Sequence, residues 1–307
     1  MTGRVLVVDD IPANLKLLEA RLTAEYFDVT TAASGLEALT ACRAQTPDIV
    51  LLDVMMPGMD GFEVCRRLKT DPRTAHIPVV MVTALDQTAD RIKGLEAGAD
   101  DFLTKPVNDT ALVTRVKSLI RLKMLTDELR MRSNVGREMG FDDAFDPLLF
   151  TQELQGQILV VDDRRSSAER LTTALSQRHS VTVEPDPQQA LFRATEGAWD
   201  LVVVSLDLAN FDALRLVSQL RSLDRTRMLP ILLVVDEHDR ARLARGLDMG
   251  VNDYLTRPID RQELCARVKT QIRRKRYADS LRVSVQQTME MAIPRGNIGM
   301  PRQDPFT

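Results

Sequence analysis

The chain has 307 residues, 41 of them basic and 44 acidic, which leaves a net charge of −3 with neutral histidines. At roughly 150 residues per domain this length predicts about two domains, each large enough for its own core. The charge balance gives no electrostatic ground for nucleic acid or an anionic membrane surface, and a hydrophobic content of 44% excludes global disorder.

In chain order, the first apolar run is Arg4-Val5-Leu6-Val7-Val8, closed by Asp9-Asp10. Leu15, Leu18 and Leu22 then recur at helical spacing. Short apolar runs alternate with helical stretches from there on, with strands predicted near 4–8, 28–32, 48–52, 77–82 and 101–103. Ile49-Val50-Leu51-Leu52 has no polar alternation, which is how a strand buried on both faces reads. Five such βα units predict an α/β fold, a doubly wound parallel five-stranded sheet, in which ligands sit beyond the carboxyl ends of the strands.

The pattern then repeats. Arg4 to Asp10 matches Gln157-Ile158-Leu159-Val160-Val161-Asp162-Asp163, and Gly98 to Val107 matches Gly250 to Ile259 at an offset of 152. This period is too long for a solenoid and signals duplication of a whole domain. Strands of the second copy are predicted near 158–161, 180–184, 200–204, 230–235 and 253–255. The expected division is a first domain over 1–133, a linker over 134–156 rich in Gly and Pro, a second domain over 157–276, and a helical stalk with a disordered tail over 277–307.

The strand ends of the first copy carry Asp9-Asp10, Asp53, Thr83-Ala84 and Lys105-Pro106. A parallel sheet gathers these at one rim. Three adjacent carboxylates repel one another by about 4 kcal/mol per pair at 4 Å and an effective dielectric near 20, so a cation is needed for all to stay ionised. An all-oxygen ligand set on an open rim suits Mg²⁺.

These residues, with Val54-Met55-Met56-Pro57-Gly58-Met59-Asp60-Gly61 after Asp53, resemble the receiver domain of two-component response regulators. The resemblance implies a flavodoxin-like fold and makes Asp53 the phosphoacceptor, with Asp9, Asp10, Asp53 and the Met55 carbonyl around Mg²⁺. Thr83 and Lys105 would hold the phosphoryl oxygens, and Phe102 would turn inward as Thr83 moves. It also implies a cis Lys105–Pro106 bond and a sensor histidine kinase or phosphotransfer protein as donor.

The second copy departs from this pattern. Ser205 stands at the acceptor place, Val235 replaces Thr83, Arg257 replaces Lys105, and only Asp162-Asp163 remain. A serine without a neighbouring base is no acceptor, so this copy is expected to be an inert adaptor. Asp207 is expected past the strand end, in the loop, a poor place for a substitute acceptor.

Tandem receivers followed by a stalk resemble the regulatory half of PleD-type response regulators. That likeness implies a phosphorylation-dependent homodimer and, as an alternative function, the regulatory portion of a diguanylate cyclase serving cyclic-di-GMP synthesis. This sequence contains no GG(D/E)EF signature, so cyclase activity is not expected, and an effector domain or protein would be the downstream partner. The stalk places Tyr277, Leu281, Val285, Met289 and Ala292 on one stripe able to pair with another helix or, being shorter than three or four heptads, to pack on its own receiver. Arg273-Arg274-Lys275-Arg276 reads as a solvated helix face, with contact to an anionic partner as the alternative. No GxGxxG, GxxxxGK[ST] or GxSxG motif supports an enzyme reading, and the three histidines show no metal spacing. Cys42, Cys65 and Cys265 form no CxxC, and no apolar run reaches 18 residues, so no disulfide framework and no membrane insertion are expected. A cytoplasmic location follows as an expectation.

Overall fold

The computed structural model describes residues 3–84, 88–107, 109–138, 155–236 and 238–292. In the first domain the elements are β1 (Arg4–Val8), α1 (Pro12–Ala24), β2 (Asp28–Ala32), α2 (Gly35–Ala44), β3 (Ile49–Asp53), α3 (Gly61–Thr70), β4 (Val79–Thr83), α4 (Thr88–Glu96), β5 (Asp101–Thr104) and α5 (Asp109–Glu138). All strand pairings are parallel, in the order β2-β1-β3-β4-β5. Successive side chains of a strand point to opposite faces, so one core takes Val5, Val7, Ile49 and Leu51 and the other takes Leu6, Val8, Val50 and Leu52.

The second domain repeats this plan. It comprises β6 (Gln157–Val161), α6 (Arg165–Leu175), β7 (Ser180–Val183), α7 (Pro187–Glu196), β8 (Leu201–Ser205), a short antiparallel ribbon of β9 (Asp207–Leu208) and β10 (Phe211–Asp212), α8 (Ala213–Ser222), β11 (Ile231–Val235), α9 (Arg240–Asp248), β12 (Asp253–Thr256) and α10 (Arg261–Ala292). The sheet order β12-β11-β8-β6-β7 is the same topology read from the other edge. The ribbon of β9 and β10 is not anticipated by the repeat. Residues 139–154 of the linker and the tail 293–307 lie outside the described residues.

Local chemistry sets several boundaries. Ser34 caps α2 by accepting from Glu37 N, and Asp60 caps α3 by accepting from Glu63 N at 2.7 Å. Gly61 opens α3 because a Cβ there would sit 2.2 Å from the Asp53 carbonyl oxygen, so only glycine lets that helix start against the end of β3.

The duplication extends to ion pairs. Lys123 on α5 reaches Asp48, just before β3, at 3.2 Å, and its equivalent Lys275 on α10 reaches Asp200, just before β8, at 3.7 Å. Asp127 and Asp279, one helical turn on, accept from the same two lysines.

The two domains pack through equivalent faces, α4–β5–α5 against α9–β12–α10. At the centre Arg267 bonds Asp101 at 3.1 Å and Asp253 at 2.7 Å, while Arg115 bonds Asp101, approaches Asp253 at 3.6 Å and stacks on the Tyr254 ring. All four charged groups are buried, and 101/253 and 115/267 are equivalent positions in the repeat. The junction is therefore a pseudo-twofold of two arginines and two aspartates. Of the basic run of α10, Arg274 crosses this junction, whereas Arg276 is exposed and pairs within its own domain. Arg274 pairs with Asp100 at 2.6 Å, and Arg276 pairs with Asp200 at 2.9 Å. Tyr277 and Leu281 at the start of the stalk stripe are likewise buried, whereas the side chains of Val285, Met289 and Ala292 lie outside the described residues.

One buried histidine ties the entry of the second domain to pH. Gly156 N donates to His179 Nδ1 at 3.2 Å, which requires that nitrogen unprotonated. Burial, aided by the Arg178 charge, lowers the His179 pKa below its ordinary 6.5. A depressed histidine stabilises the fold fully above the unfolded value, and the contribution is lost as pH falls below it toward the folded value. The thermal midpoint of the native chain is expected to fall between pH 7 and pH 5, with His179→Gln flattening that part of the profile in differential scanning calorimetry; an unaltered slope in the variant would contradict the assignment.

Candidate functional site

The rim beyond the carboxyl ends of β1, β3, β4 and β5 collects the residues that the strand-end pattern singles out. Asp53 is the last residue of β3 and Thr83 the last of β4, and both are buried. Asp9 follows β1 directly, is buried, and accepts from Ile11 N at 3.0 Å and from Asn14 Nδ2 at 3.0 Å. Asn14 is a site residue that sequence reasoning missed; its only signal is a polar amide in the first turn of a helix that starts beside the acidic pair. Asp10 is half-buried beside Asp9.

Carboxylate oxygens of Asp9, Asp10 and Asp53 lie within 4.8 Å of one another. Lys105 Nζ bridges two of them, donating to Asp53 Oδ1 at 2.7 Å and to Asp9 Oδ2 at 2.8 Å. Burial raises the Asp53 pKa and the two neighbouring aspartates add to the rise, while Lys105 opposes it. The carboxylates in turn raise the Lys105 pKa against its own desolvation. Four charges thus hold one another, with one cation against three anions. The remaining negative charge, the all-oxygen donor set and the partly open rim fit a Mg²⁺ ion. The chain carries the acidic cluster that matches the Mg²⁺ site of receiver domains.

The loop after β3 turns sharply over this rim. Met56 N donates to Val54 O, Gly58 adopts positive φ, and Met55 is exposed at the edge of the site. Lys105 N donates to Thr83 O at 2.8 Å, fixing the end of β5 against the end of β4, and the Lys105–Pro106 bond is cis. Phe102 is half-buried and packs on α4 where Gly94 leaves room, since a Cβ there would meet its ring at 2.2 Å. Phe102 directly follows Asp101, which lies at the junction between the domains.

The equivalent rim of the second domain is closed by arginine. Arg257 donates to Asp162 at 3.1 Å, to Ser167 Oγ at 2.8 Å and to Ser205 Oγ at 3.2 Å. Val235 ends β11 where Thr83 ends β4. Asp163 is turned away to accept from Ala209 N, and Asp207 lies in β9, more than half exposed and paired with Arg164 at 3.1 Å. Two guanidinium groups neutralise what acid remains. Near this rim, Asp236, His238 and Asp239 bring ligand atoms within 4.8 Å of one another, a grouping that the histidine spacing does not reveal.

Among the described residues no helix is long and apolar enough to cross a membrane. The response regulator receiver domain family matches residues 5–117 and again residues 158–269. Response regulator PleD of Caulobacter vibrioides is 54% identical over 293 residues, which is 95% of this chain and 64% of that protein. The chain therefore spans just under two thirds of the length of that relative. The DNA-binding dual master transcriptional regulator RpaA of Synechocystis is 36% identical over 185 residues, 59% of this chain and 73% of that protein. Among solved structures, the receiver domain of the Francisella response regulator 1452 is 33% identical, covering 39% of this chain and 98% of its own, with a TM-score of 0.37. Matched twice across most of its length, and carrying the acidic cluster in its first copy, this chain belongs to the response regulator receiver domain family as a tandem-receiver signalling protein.

Proposed function

We propose that the chain is a cytoplasmic, phosphorylation-dependent response regulator in which Asp53 is the phosphoacceptor. The observation that carries this reading is the Lys105 ammonium held between Asp53 and Asp9 at the strand-end rim. In the proposed step a carboxylate oxygen of Asp53 attacks the phosphorus of a phosphohistidine on a sensor kinase or phosphotransfer protein. The new O–P bond forms as the P–N bond breaks, and the imidazole keeps the electron pair and takes up a proton. Asp9, Asp10, Asp53 and the Met55 carbonyl would hold Mg²⁺, which supplies charge neutralisation for the transferring group. Lys105 then shifts from Asp9 toward the new phosphoryl oxygens, and the Thr83 hydroxyl donates to another.

The packing of the two domains refines the readout. The face that would respond through Thr83 and Phe102, α4–β5–α5, is covered by the second receiver of the same chain. The second receiver is thus the first reader of the signal. This supports an adaptor role for residues 157–276 beside a phosphoacceptor unit at 1–133, with homodimerisation following from a shift at the junction. A second reading, the regulatory portion of a protein that makes cyclic-di-GMP, is favoured by the 54% identity to PleD across 95% of this chain. It is tested by assaying GTP conversion in the product of the whole gene.

Sedimentation velocity of the native chain with beryllofluoride and Mg²⁺ tests the first reading. A shift of the monomer boundary to the dimer position is expected, and a boundary that stays at the monomer under saturating beryllofluoride would refute the dimerisation step.

A further inference from the structure

A cavity of about 120 Å³ lies between the two receivers, at the strand rim opposite Asp53. Pro78 and Pro230, which immediately precede β4 and β11, both line it. His76 and Met228 also line it, as do Asp100 and Asn252, and each of these is a repeat-equivalent pair. The cavity therefore straddles the pseudo-twofold axis of the junction. On the same measure a single water needs only about 10–15 Å³, so there is room for a hydrated oxyanion.

Lys69, Lys123, Arg273, Arg274 and Lys275 are among the residues that line it, and among the described residues Asp100 is the one carboxylate that does. Asp100 is shared by Lys69 at 2.8 Å and Arg274 at 2.6 Å. Lys123 pairs with Asp48 and Asp127 and Lys275 with Asp200 and Asp279, and none of these four carboxylates lines the cavity.

Arg273 breaks the symmetry. Its repeat equivalent, Arg121, donates to the Asp248 carbonyl at the end of α9. Arg273 is half-buried and, among the described residues, has no carboxylate within 4.0 Å; burial pulls its pKa down with Asp100 as its only opposing charge. A desolvated guanidinium facing a cavity without a counter-ion is costly, and an anion in the cavity removes that cost.

We propose that this cavity is a binding site for a small oxyanion of the phosphate class, held by Arg273 with Lys123 and Lys275 and bridging the two receivers. An anion that contacts both domains stabilises the packed arrangement by mass action. If phosphorylation of Asp53 alters the junction, the two events are coupled, each changing the affinity for the other by the same factor. The anion site itself stands independently of the acceptor role of Asp53.

Isothermal titration of the full chain with inorganic phosphate, in EDTA to remove divalent metal, tests the site. One saturable phosphate per chain is expected, weakened at least tenfold in Arg273→Met and unchanged in Arg121→Met and in Asp53→Asn. The last variant separates this site from the acceptor rim. Lys275→Met gives a second reading should circular dichroism show Arg273→Met unfolded, with the same tenfold loss expected. Absence of saturable binding to the native chain, or native affinity in a folded Arg273→Met or Lys275→Met, overturns the proposal.

Discussion

Asp53→Asn is expected to abolish every response of this chain to a small-molecule phosphodonor while leaving the fold intact. An amide of the same shape keeps the contacts of β3 but has no anionic oxygen to attack phosphorus. It also removes one of the three carboxylates whose mutual repulsion Lys105 offsets. Because burial already raises the Asp53 pKa, the variant relieves an unfavourable charge, and its thermal midpoint is expected to equal or exceed that of the native chain. Mg²⁺ affinity should drop sharply with loss of a ligand carboxylate, read by titration calorimetry. A variant that still dimerises on treatment with donor and Mg²⁺ would place the acceptor elsewhere.

Arg267→Ala carries the second large effect. The Arg267 guanidinium bonds Asp101 of the first receiver and Asp253 of its own, in a site closed to solvent. Removing one partner of such a network strands the others. Breaking a buried pair this way costs about 3–5 kcal/mol, far more than a surface ion pair contributes. Arg115 remains and can neutralise one aspartate but not both. The cost falls on the junction, so urea unfolding of the variant is expected to split into two transitions, one per receiver, where the native chain shows coupled unfolding. Arg267→Met with Asp101→Leu, which removes charge from both sides, should recover part of the loss. A single transition with an unchanged midpoint in Arg267→Ala would show that the network does not hold the domains together.

The two experiments probe parts of the molecule that differ in how far the sequence reveals them. Asp9, Asp10, Asp53, Thr83 and Lys105 each end or follow a short apolar run, and a parallel sheet has to bring such ends to one rim. Their convergence is a property of strand order, which the alternation of strands and helices already implies. The departure of the second rim from that pattern was legible for the same reason, since Ser205, Val235 and Arg257 occupy equivalent ends. What Arg257 does there, bonding Asp162, Ser167 and Ser205 at once, depends on a long side chain folding back and leaves no trace in spacing.

The junction was not legible. Asp101, Arg115, Asp253 and Arg267 recur at the offset of the repeat, but recurrence alone does not distinguish a shared internal role from a shared interface. The run Arg273 to Arg276 illustrates the difficulty. Its pattern is that of an exposed helical face, and only the placement of Asp100 and Asp200 against α10 turns it into a set of interdomain and intradomain struts. The β9–β10 ribbon likewise leaves no trace in the repeat; between its two strands the Ala209 N–H donates to Asp163.

Whether the Asp53 carboxylate takes the phosphoryl group is read by treating the native chain with a small acyl-phosphate donor and Mg²⁺, trapping the adduct by borohydride reduction and mapping the peptides by mass spectrometry. A single modified residue is expected, at position 53, with an unmodified second receiver. Labelling at Ser205 or Asp207, or an untouched Asp53 after exposure to a competent donor, would contradict it.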